Sequence, residues 1–170
     1  MVNKYYYVGV ANKYASIQEA VDALIIDSQY TSFTDQVEIV ITDGIYGRFE
    51  IPASSLLPTS LNRLVIRGEN KDKVIIDGGE SQVASYGIKI GQNNPYITLE
   101  NIEIRNFYIG VFVDTGSDYC VINSCLIKTC VNAAIFARFN DYFSVYNSIL
   151  LDGDFGIVGQ NIKNISIVNN

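Results

Sequence analysis

The chain has 170 residues, 48% of them apolar and 18% charged, which fits one globular domain with a buried core. Its formal net charge of −6 argues against nucleic acid or an anionic membrane as the main partner. The sequence has no histidine, the commonest general base and metal ligand, so we expect neither a metal nor a cofactor. No run of 18 apolar residues and no apolar stretch near the N-terminus are present, so we expect no membrane insertion and no signal peptide.

The N-terminal segment predicts one strand and one helix. Tyr5–Val8 predicts a short strand. Ser16 and Glu19 form a capping box, after which apolar residues at helical spacing predict an amphipathic helix of about three turns. These apolar residues are Ile17, Ala20, Val21 and Leu24. We expect residues 1–36 to form an N-terminal strand and a helix that caps the stack of strands in residues 37–170.

Short runs rich in β-branched residues predict the next strands. The runs are Val37–Ile41, Phe49–Ile51, Leu64–Ile66, Val74–Ile76 and Gly87–Gly91. The pair Asp43–Gly44 predicts a turn after the first run, and residues 29–35 and 53–62 predict loops.

From Asn94 onward the sequence repeats with a period of about 23 residues, which is shorter by one in the last unit. Equivalent positions carry similar residues in each unit. The aligned sets are Tyr96, Tyr119 and Tyr142; Ile97, Cys120, Phe143 and Ile165; Leu99, Ile122, Val145 and Ile167; Asn101, Ser124, Asn147 and Asn169; and Gly87, Gly110, Ala133 and Gly156. Each unit contains three short strands, which in the first unit are Tyr96–Glu100, Ile102–Ile104 and Gly110–Val113. Rows of like residues at a fixed period indicate that each strand pairs in parallel with its equivalent one coil later. The predicted fold is all-β, a right-handed parallel β-helix with about 23 residues per coil.

Three segments resemble the N-terminal cap and first coils of pectin-lyase-like β-helix proteins, with pectinesterases as the nearest enzyme pattern. The segments are ASIQEAVDAL, VEIVITDGIYGRFEI and LVIRGENKDKVIIDGG. The polar corner row of Asn101, Ser124, Asn147 and Asn169 is similar to the asparagine ladder of that superfamily. The resemblance implies a fold shared by polysaccharide lyases, glycosidases, esterases and the tail spikes and fibres of bacteriophages, so it does not select one function.

The residues that a pectinesterase would need are not in place. Asn132 stands where the resemblance would put the first glutamine, and no Gln-Asp pair follows it. The motif that begins at Asp154 matches the second-aspartate motif only loosely. An esterase of this kind is therefore disfavoured.

The third strand of each unit is the face where the resemblance places a substrate cleft. If Lys89 points outward, the outward row continues through Phe112, Ile135 and Val158. In the opposite register the row is Val111, Ala134 and Ile157. Neither row has a carboxylate, whereas hydrolysis by paired acids requires two. On the second strand of each unit, the row of Glu103, Leu126 and Ile149 is likewise apolar after its first member. We take Phe112, Ile135 and Val158 as candidate residues of a subunit interface or a loop-covered face, with a ligand groove as the alternative.

Two further sets are candidates for a site. Asp152 and Asp154 flank Gly153 and would be the catalytic acids if the protein were an enzyme; the alternative is that they stabilise turns. Tyr96, Tyr119 and Tyr142 should form a stacked column that either binds a glycan or stabilises adjacent coils. The three cysteines, Cys120, Cys125 and Cys130, are interpreted as small buried residues.

These observations favour a structural or glycan-binding β-helix module of a phage tail spike, fibre or other virion protein, acting as a homo-oligomer or in a larger assembly. The alternative is a polysaccharide-active enzyme, a lyase, glycosidase or pectinesterase-like hydrolase, with its acids in loops. Since the fourth unit stops after Ile165–Val168, we expect a partner subunit or further chain to cover that end of the stack.

Overall fold

The chain is a right-handed parallel β-helix with one helix near its N-terminus, as predicted. The computed structural model describes residues 4–30, 36–56, 58, 62–70, 73–79 and 86–170. The predicted loops at 29–35 and 53–62 lie partly outside these residues. In the described part, 17 strands form three parallel sheets of seven, five and five strands; five coils contribute one strand to each sheet, and the first and last strands extend the first sheet alone.

The strands are numbered in chain order and the sheets in the order in which a coil reaches them. The first sheet contains β1 (Lys4–Val8), β2 (Val37–Ile41), β5 (Leu64–Gly68), β8 (Ile97–Glu100), β11 (Val121–Asn123), β14 (Ser144–Tyr146) and β17 (Ser166–Val168). The second sheet contains β3 (Gly44–Tyr46), β6 (Val74–Asp77), β9 (Glu103–Arg105), β12 (Leu126–Lys128) and β15 (Ile149–Leu151). The third sheet contains β4 (Phe49–Ile51), β7 (Tyr86–Ile90), β10 (Ile109–Val113), β13 (Ala133–Arg138) and β16 (Phe155–Gln160).

The helix α1 (Ile17–Tyr30) covers the N-terminal end of the stack. The Glu19 N–H donates to Ser16 Oγ (3.2 Å) and the Glu19 carboxylate accepts from the Ala15 N–H (2.9 Å), which confirms the N-terminal cap. The four apolar residues predicted on its inner face are all buried. Gln18 exchanges two hydrogen bonds with the backbone of Glu50 (2.9 and 3.1 Å), so its amide occupies the position of a neighbouring strand along the edge strand β4.

The strand register confirms the predicted repeat in the first two sheets. In the first sheet Val121 pairs with Thr98 on one side and Ser144 on the other, and Ser144 pairs with Ser166. These partners are the equivalent positions of successive units, including the shorter last unit. The predicted turn at Asp43–Gly44 is wrong in part, because Gly44 already begins β3. The corners of this solenoid are so short that a turn residue passes directly into the next strand.

The predicted register of the third sheet is wrong by one residue in one coil. Val111 pairs with Ile135 and not with Ala134, and Ile135 in turn pairs with Ile157. The cause is the corner at residues 129–132, which has one residue more than the equivalent corners at 106–108 and 152–154. Ile135 therefore points inward and is fully buried, and Phe136 takes its place in the outward row. For the same reason Gly110 lies beside Ala134 and not Ala133.

The backbone conformation of the corners repeats more strictly than their amino-acid sequence does. Every coil after residue 92 turns through residues with positive φ at equivalent positions. These rows are Asn93, Gly116, Phe139 and Asn161; Tyr96, Tyr119, Tyr142 and Asn164; Asn101, Ser124, Asn147 and Asn169; and Asn106, Thr129 and Asp152. The predicted left-handed corner at Asn101 is thus confirmed, with φ of 55°. Asn tolerates this conformation, whereas Tyr, Phe and Thr are strained there.

Candidate functional site

The outward face of the third sheet carries a ladder of aromatic rings. Lys89 pairs with Phe112, Phe112 with Phe136, and Phe136 with Val158 along one row. The ring of Tyr86 lies 4.7 Å from that of Phe112, which lies 5.6 Å from that of Phe136. Phe112 is only 6% exposed despite pointing outward, because the neighbouring rings cover it. We call Tyr86, Phe112 and Phe136 the aromatic ladder.

Both carboxylates found among the described residues of this face are bound by cations. Glu50 accepts from the Lys89 ammonium at 2.6 Å, and Asp114, at the end of β10, accepts from Arg138 Nε at 2.7 Å. Burial by itself would raise the pKa of Asp114, but the bonds from Arg138 and from the Thr115 N–H outweigh it and hold the pKa below its usual value. A carboxylate held ionised by a bound guanidinium is a poor proton donor, so Asp114 is poorly suited to be the acid of a glycoside hydrolase.

Arg138 connects the charged pair to the aromatic ladder. Its guanidinium carbon lies 5.2 Å from the centre of the Phe112 ring while its Nε bonds Asp114. A guanidinium bonds in its plane and stacks on its face, so one side chain can serve both contacts. Tyr86, Phe136 and Arg138 were not predicted from the sequence; the extra corner residue before β13 is the signal that would have identified Phe136 and Arg138.

The second sheet carries a charge network on its outward face. Glu103 is buried and accepts from Arg105 (3.1 Å) and Lys128 (3.0 Å), and Arg105 also bonds Asp77 (2.8 Å). Burial tends to raise the pKa of Asp77, but its bonds from the Gly79 N–H and other donors lower it overall. The network holds three adjacent coils together. It leaves no carboxylate of this group available for acid–base chemistry.

Tyr96, Tyr119 and Tyr142 form the predicted stacked column. Successive ring centres are 4.7 Å apart and the rings are within 6° of parallel. Both faces of Tyr119 are therefore covered by its neighbours. In the next coil Asn164 takes the equivalent position, so no described ring covers the face of Tyr142 turned toward that coil. The column presents hydroxyls and ring edges along its length, and each of its end rings, Tyr96 and Tyr142, has one face that no described ring covers.

The carboxylates beside the column have turn roles. Asp118 accepts from the Asp141 N–H at 2.8 Å, which ties two successive corners together. Lys163 lies 3.9 Å from the Asp141 carboxylate, and both side chains are largely exposed. An ion pair of this kind contributes little to stability.

Asp152 and Asp154 lie on the corner between β15 and β16. Both are exposed and border an open depression together with Thr129, Cys130 and Val131. Neither carboxylate forms an ion pair with a described residue. Their catalytic role stays a prediction.

The three cysteines are free and buried, in agreement with their interpretation as small core residues. Burial raises the pKa of the Cys120 thiol and of the Cys125 thiol to about 12. Both thiols are therefore protonated at neutral pH and are poor nucleophiles.

These thiols predict a loss of stability at alkaline pH. An unfolded thiol ionises near pH 8.5, well below the folded value, so above that pH unfolding releases protons and is favoured by a further rise. We expect the free energy of unfolding to fall by about 1 kcal/mol per buried thiol for each pH unit between 9 and 11, measured by urea unfolding. The double variant Cys120→Ala/Cys125→Ala should show a shallower slope; an equal slope would contradict the assignment.

No group of three or more His, Cys, Asp or Glu side chains in the described part of the chain is arranged to hold a metal ion. The described helix is not long and apolar enough to cross a membrane.

The chain has the right-handed parallel β-helix fold, which pectin-lyase-like proteins share. No family model and no curated protein matches the sequence. Among solved structures, the chain is similar to pectin methylesterases. One in complex with a hexasaccharide gives a TM-score of 0.55 at 13% identity and covers 100% of this chain and 68% of that chain. A second hexasaccharide complex gives 0.53 at 12% identity with the same coverage. The pectin methylesterase from Aspergillus niger gives 0.53 at 17% identity, with 96% of this chain and 66% of that chain covered. At these identities the similarity establishes the fold alone.

Proposed function

We propose that this chain is a glycan-binding structural β-helix module that works within a larger protein assembly, of the kind found in phage tail spikes, fibres or other virion proteins. The observation that carries the proposal is the outward face of the third sheet. Where a hydrolase of this fold would need free acids, the face has an aromatic ladder and two carboxylates bound by Lys89 and Arg138. Two of the similar solved structures contain hexasaccharides, which supports a glycan as the ligand class.

The column end at Tyr142 is the surface best suited to contact a sugar ring. Sugars stack on aromatic faces, and Tyr142, which is 47% exposed, ends the column with a face that no described ring covers. Asp141, Lys163 and Asn164 lie beside it and supply hydrogen-bonding groups of both kinds. Along the rest of the column, contacts would be made through hydroxyls and ring edges.

A glycan array with two variants tests this proposal. Tyr142→Asn removes the ring while keeping a residue that tolerates positive φ, as Asn164 shows at the equivalent position. We expect binding to weaken about tenfold, the loss of one aromatic contact of about 1.4 kcal/mol. Tyr108→Asn is the matched control, because Tyr108 and Tyr142 are both 47% exposed but Tyr108 lies on another corner.

Glycan binding that survives Tyr142→Asn, or falls equally with Tyr108→Asn, would argue against this surface. Unchanged thermal unfolding of both variants establishes that they remain folded.

The assembly part of the proposal rests on exposed isoleucines at the two ends of one outward row of the second sheet. The row runs through Ile45, Ile75, Glu103, Leu126 and Ile149; the charged Glu103 in its middle is buried, whereas Ile45 and Ile149 are 68% and 53% exposed. Exposed apolar patches commonly mark contacts with a partner. We expect light scattering to show a homo-oligomer whose dissociation is promoted by Ile45→Lys. A monomer at all concentrations tested would contradict the assembly part.

A further inference from the structure

A pocket of about 330 Å³ opens at the N-terminal end of the solenoid, away from the surfaces described above. It lies between the edge strand β1, the segment 11–14 and the residue Asp27 of α1. Its volume is at the lower end of the range for small-molecule sites, about 300–1,000 Å³.

Four tyrosines line this pocket. The rings of Tyr5 and Tyr7 stack at 6.0 Å, and those of Tyr6 and Tyr14 at 5.8 Å. Tyr5 and Tyr7 are 44% and 46% exposed, so their rings are accessible to a ligand. The walls are therefore flat and aromatic, with polar groups at their edges.

The charges in the pocket leave one cation uncompensated. Asp27 Oδ2 accepts from the Lys4 ammonium at 3.0 Å and also from the Tyr6 hydroxyl, so Lys4 and Asp27 neutralise each other. The Lys13 ammonium lies 5.1 Å from the centre of the Tyr14 ring and forms no ion pair with a described carboxylate. The local charge is thus positive, although the whole chain carries −6.

The backbone of β1 adds a donor on the same side. Lys4 N–H bonds Gln36 and the Val8 carbonyl accepts from Thr42, so alternate residues of β1 pair with β2. In a parallel pair the intervening residues direct their backbone groups to the opposite side. The N–H of Tyr7 therefore points away from β2, toward the free edge where the pocket lies.

We propose that this pocket binds a small ligand in which a carboxylate is attached to a ring with an apolar C–H face, such as a sugar acid. The carboxylate would pair with the Lys13 ammonium and the Tyr7 N–H, while the ring packs on the tyrosine walls. The site shares no residue with the tyrosine column, so it is independent of the glycan contact proposed at Tyr142. It gives the protein a second site, selective for negative charge, at the opposite end of the stack from Tyr142.

Calorimetric titration with glucuronate tests the inference, with glucose as the neutral control. We expect saturable binding of glucuronate and at least tenfold weaker binding of glucose. Lys13→Ala should weaken glucuronate binding about tenfold, and Lys13→Arg should retain it. Lys73→Ala is the matched control, because Lys73 is also an exposed lysine but lies outside this pocket and away from the tyrosine column.

No saturable binding of glucuronate, equal binding of glucose, or unchanged binding by Lys13→Ala would each overturn the proposal. The carboxylate could belong to a free sugar acid or to the end of a glycan, and a glucuronate-ended oligosaccharide titrated in parallel distinguishes these two sources. Tighter binding of the oligosaccharide identifies a glycan terminus, and tighter binding of the monosaccharide identifies a free sugar acid. Because Tyr142→Asn leaves this pocket intact, it should weaken glycan binding at the tyrosine column without weakening glucuronate binding in the pocket.

Discussion

Phe143→Ala is expected to lower the free energy of unfolding by about 3–5 kcal/mol, measured by urea unfolding. Phe143 is fully buried and is one of the two largest fully buried side chains among the described residues. It lies in the inward row between Cys120 and Ile165, and its backbone carbonyl accepts from Ser166 of the next coil. Removing the ring leaves a cavity between coils whose closely spaced backbones cannot collapse to fill it.

Phe139→Asn is the matched control for this prediction. Phe139 lies shortly before Phe143 in the same coil, is 47% exposed and has a φ of 50°. Replacing a strained aromatic residue by one that tolerates the left-handed region should leave the free energy of unfolding unchanged or raise it by up to about 1 kcal/mol. Equal losses for the two variants would mean that the assigned interior and exterior of this coil are wrong.

Asn94→Ala is expected to cost about 3 kcal/mol or more, again by urea unfolding. The side chain is fully buried, and its Nδ2 donates to the carbonyls of Gly91 (2.9 Å) and Pro52 (2.8 Å). Its Oδ1 accepts from the Leu56 N–H (3.0 Å). The substitution leaves the buried Leu56 N–H unpaired, at a desolvation penalty of about 1–3 kcal/mol, and removes one bond from each of the two carbonyls, which keep their bonds from Ser117 and Ser55.

Asn140→Ala is the comparison that tests this explanation. Asn140 is equally buried, but its Nδ2 donates to two carbonyls, those of Val113 (3.3 Å) and Arg138 (2.8 Å), and its Oδ1 has no described partner. We expect a smaller loss, about 1–2 kcal/mol, because the Asn140 side chain accepts from no described N–H that would be stranded and one unpaired oxygen is removed. A larger loss than that of Asn94→Ala would show that hydrogen bonding does not determine the cost.

The repeat could be predicted from the sequence because a parallel stack places equivalent residues against each other. The row of Leu99, Ile122 and Val145 has one chemical character at one spacing, which only a coil of constant length explains. The register at Ile135 was predicted wrongly because two differences in segment length compensate each other. The corner before β13 is one residue longer and the segment after β13 is one residue shorter, so the period of the coil is unchanged and hides the shift.

The contacts of the candidate surfaces could not be predicted in the same way. The separation along the chain is 39 between Glu50 and Lys89 and 24 between Asp114 and Arg138, and neither value matches the period of the repeat. The column of tyrosines was predicted correctly because its members keep that period. The exposed ring face of Tyr142 was not predicted, because it depends on Asn164, which takes the equivalent position in the next coil in place of a tyrosine.

The central claim is that this β-helix binds a glycan without cleaving it. The most direct measurement is prolonged incubation with a panel of acidic polysaccharides, followed by detection of reducing ends, unsaturated ends and released methanol. We predict no product above a blank without protein, while the binding that depends on Tyr142 is retained. Product that forms with the unaltered protein and disappears with Asp154→Ala would contradict this account and would identify the corner at Asp152 and Asp154 as an active site.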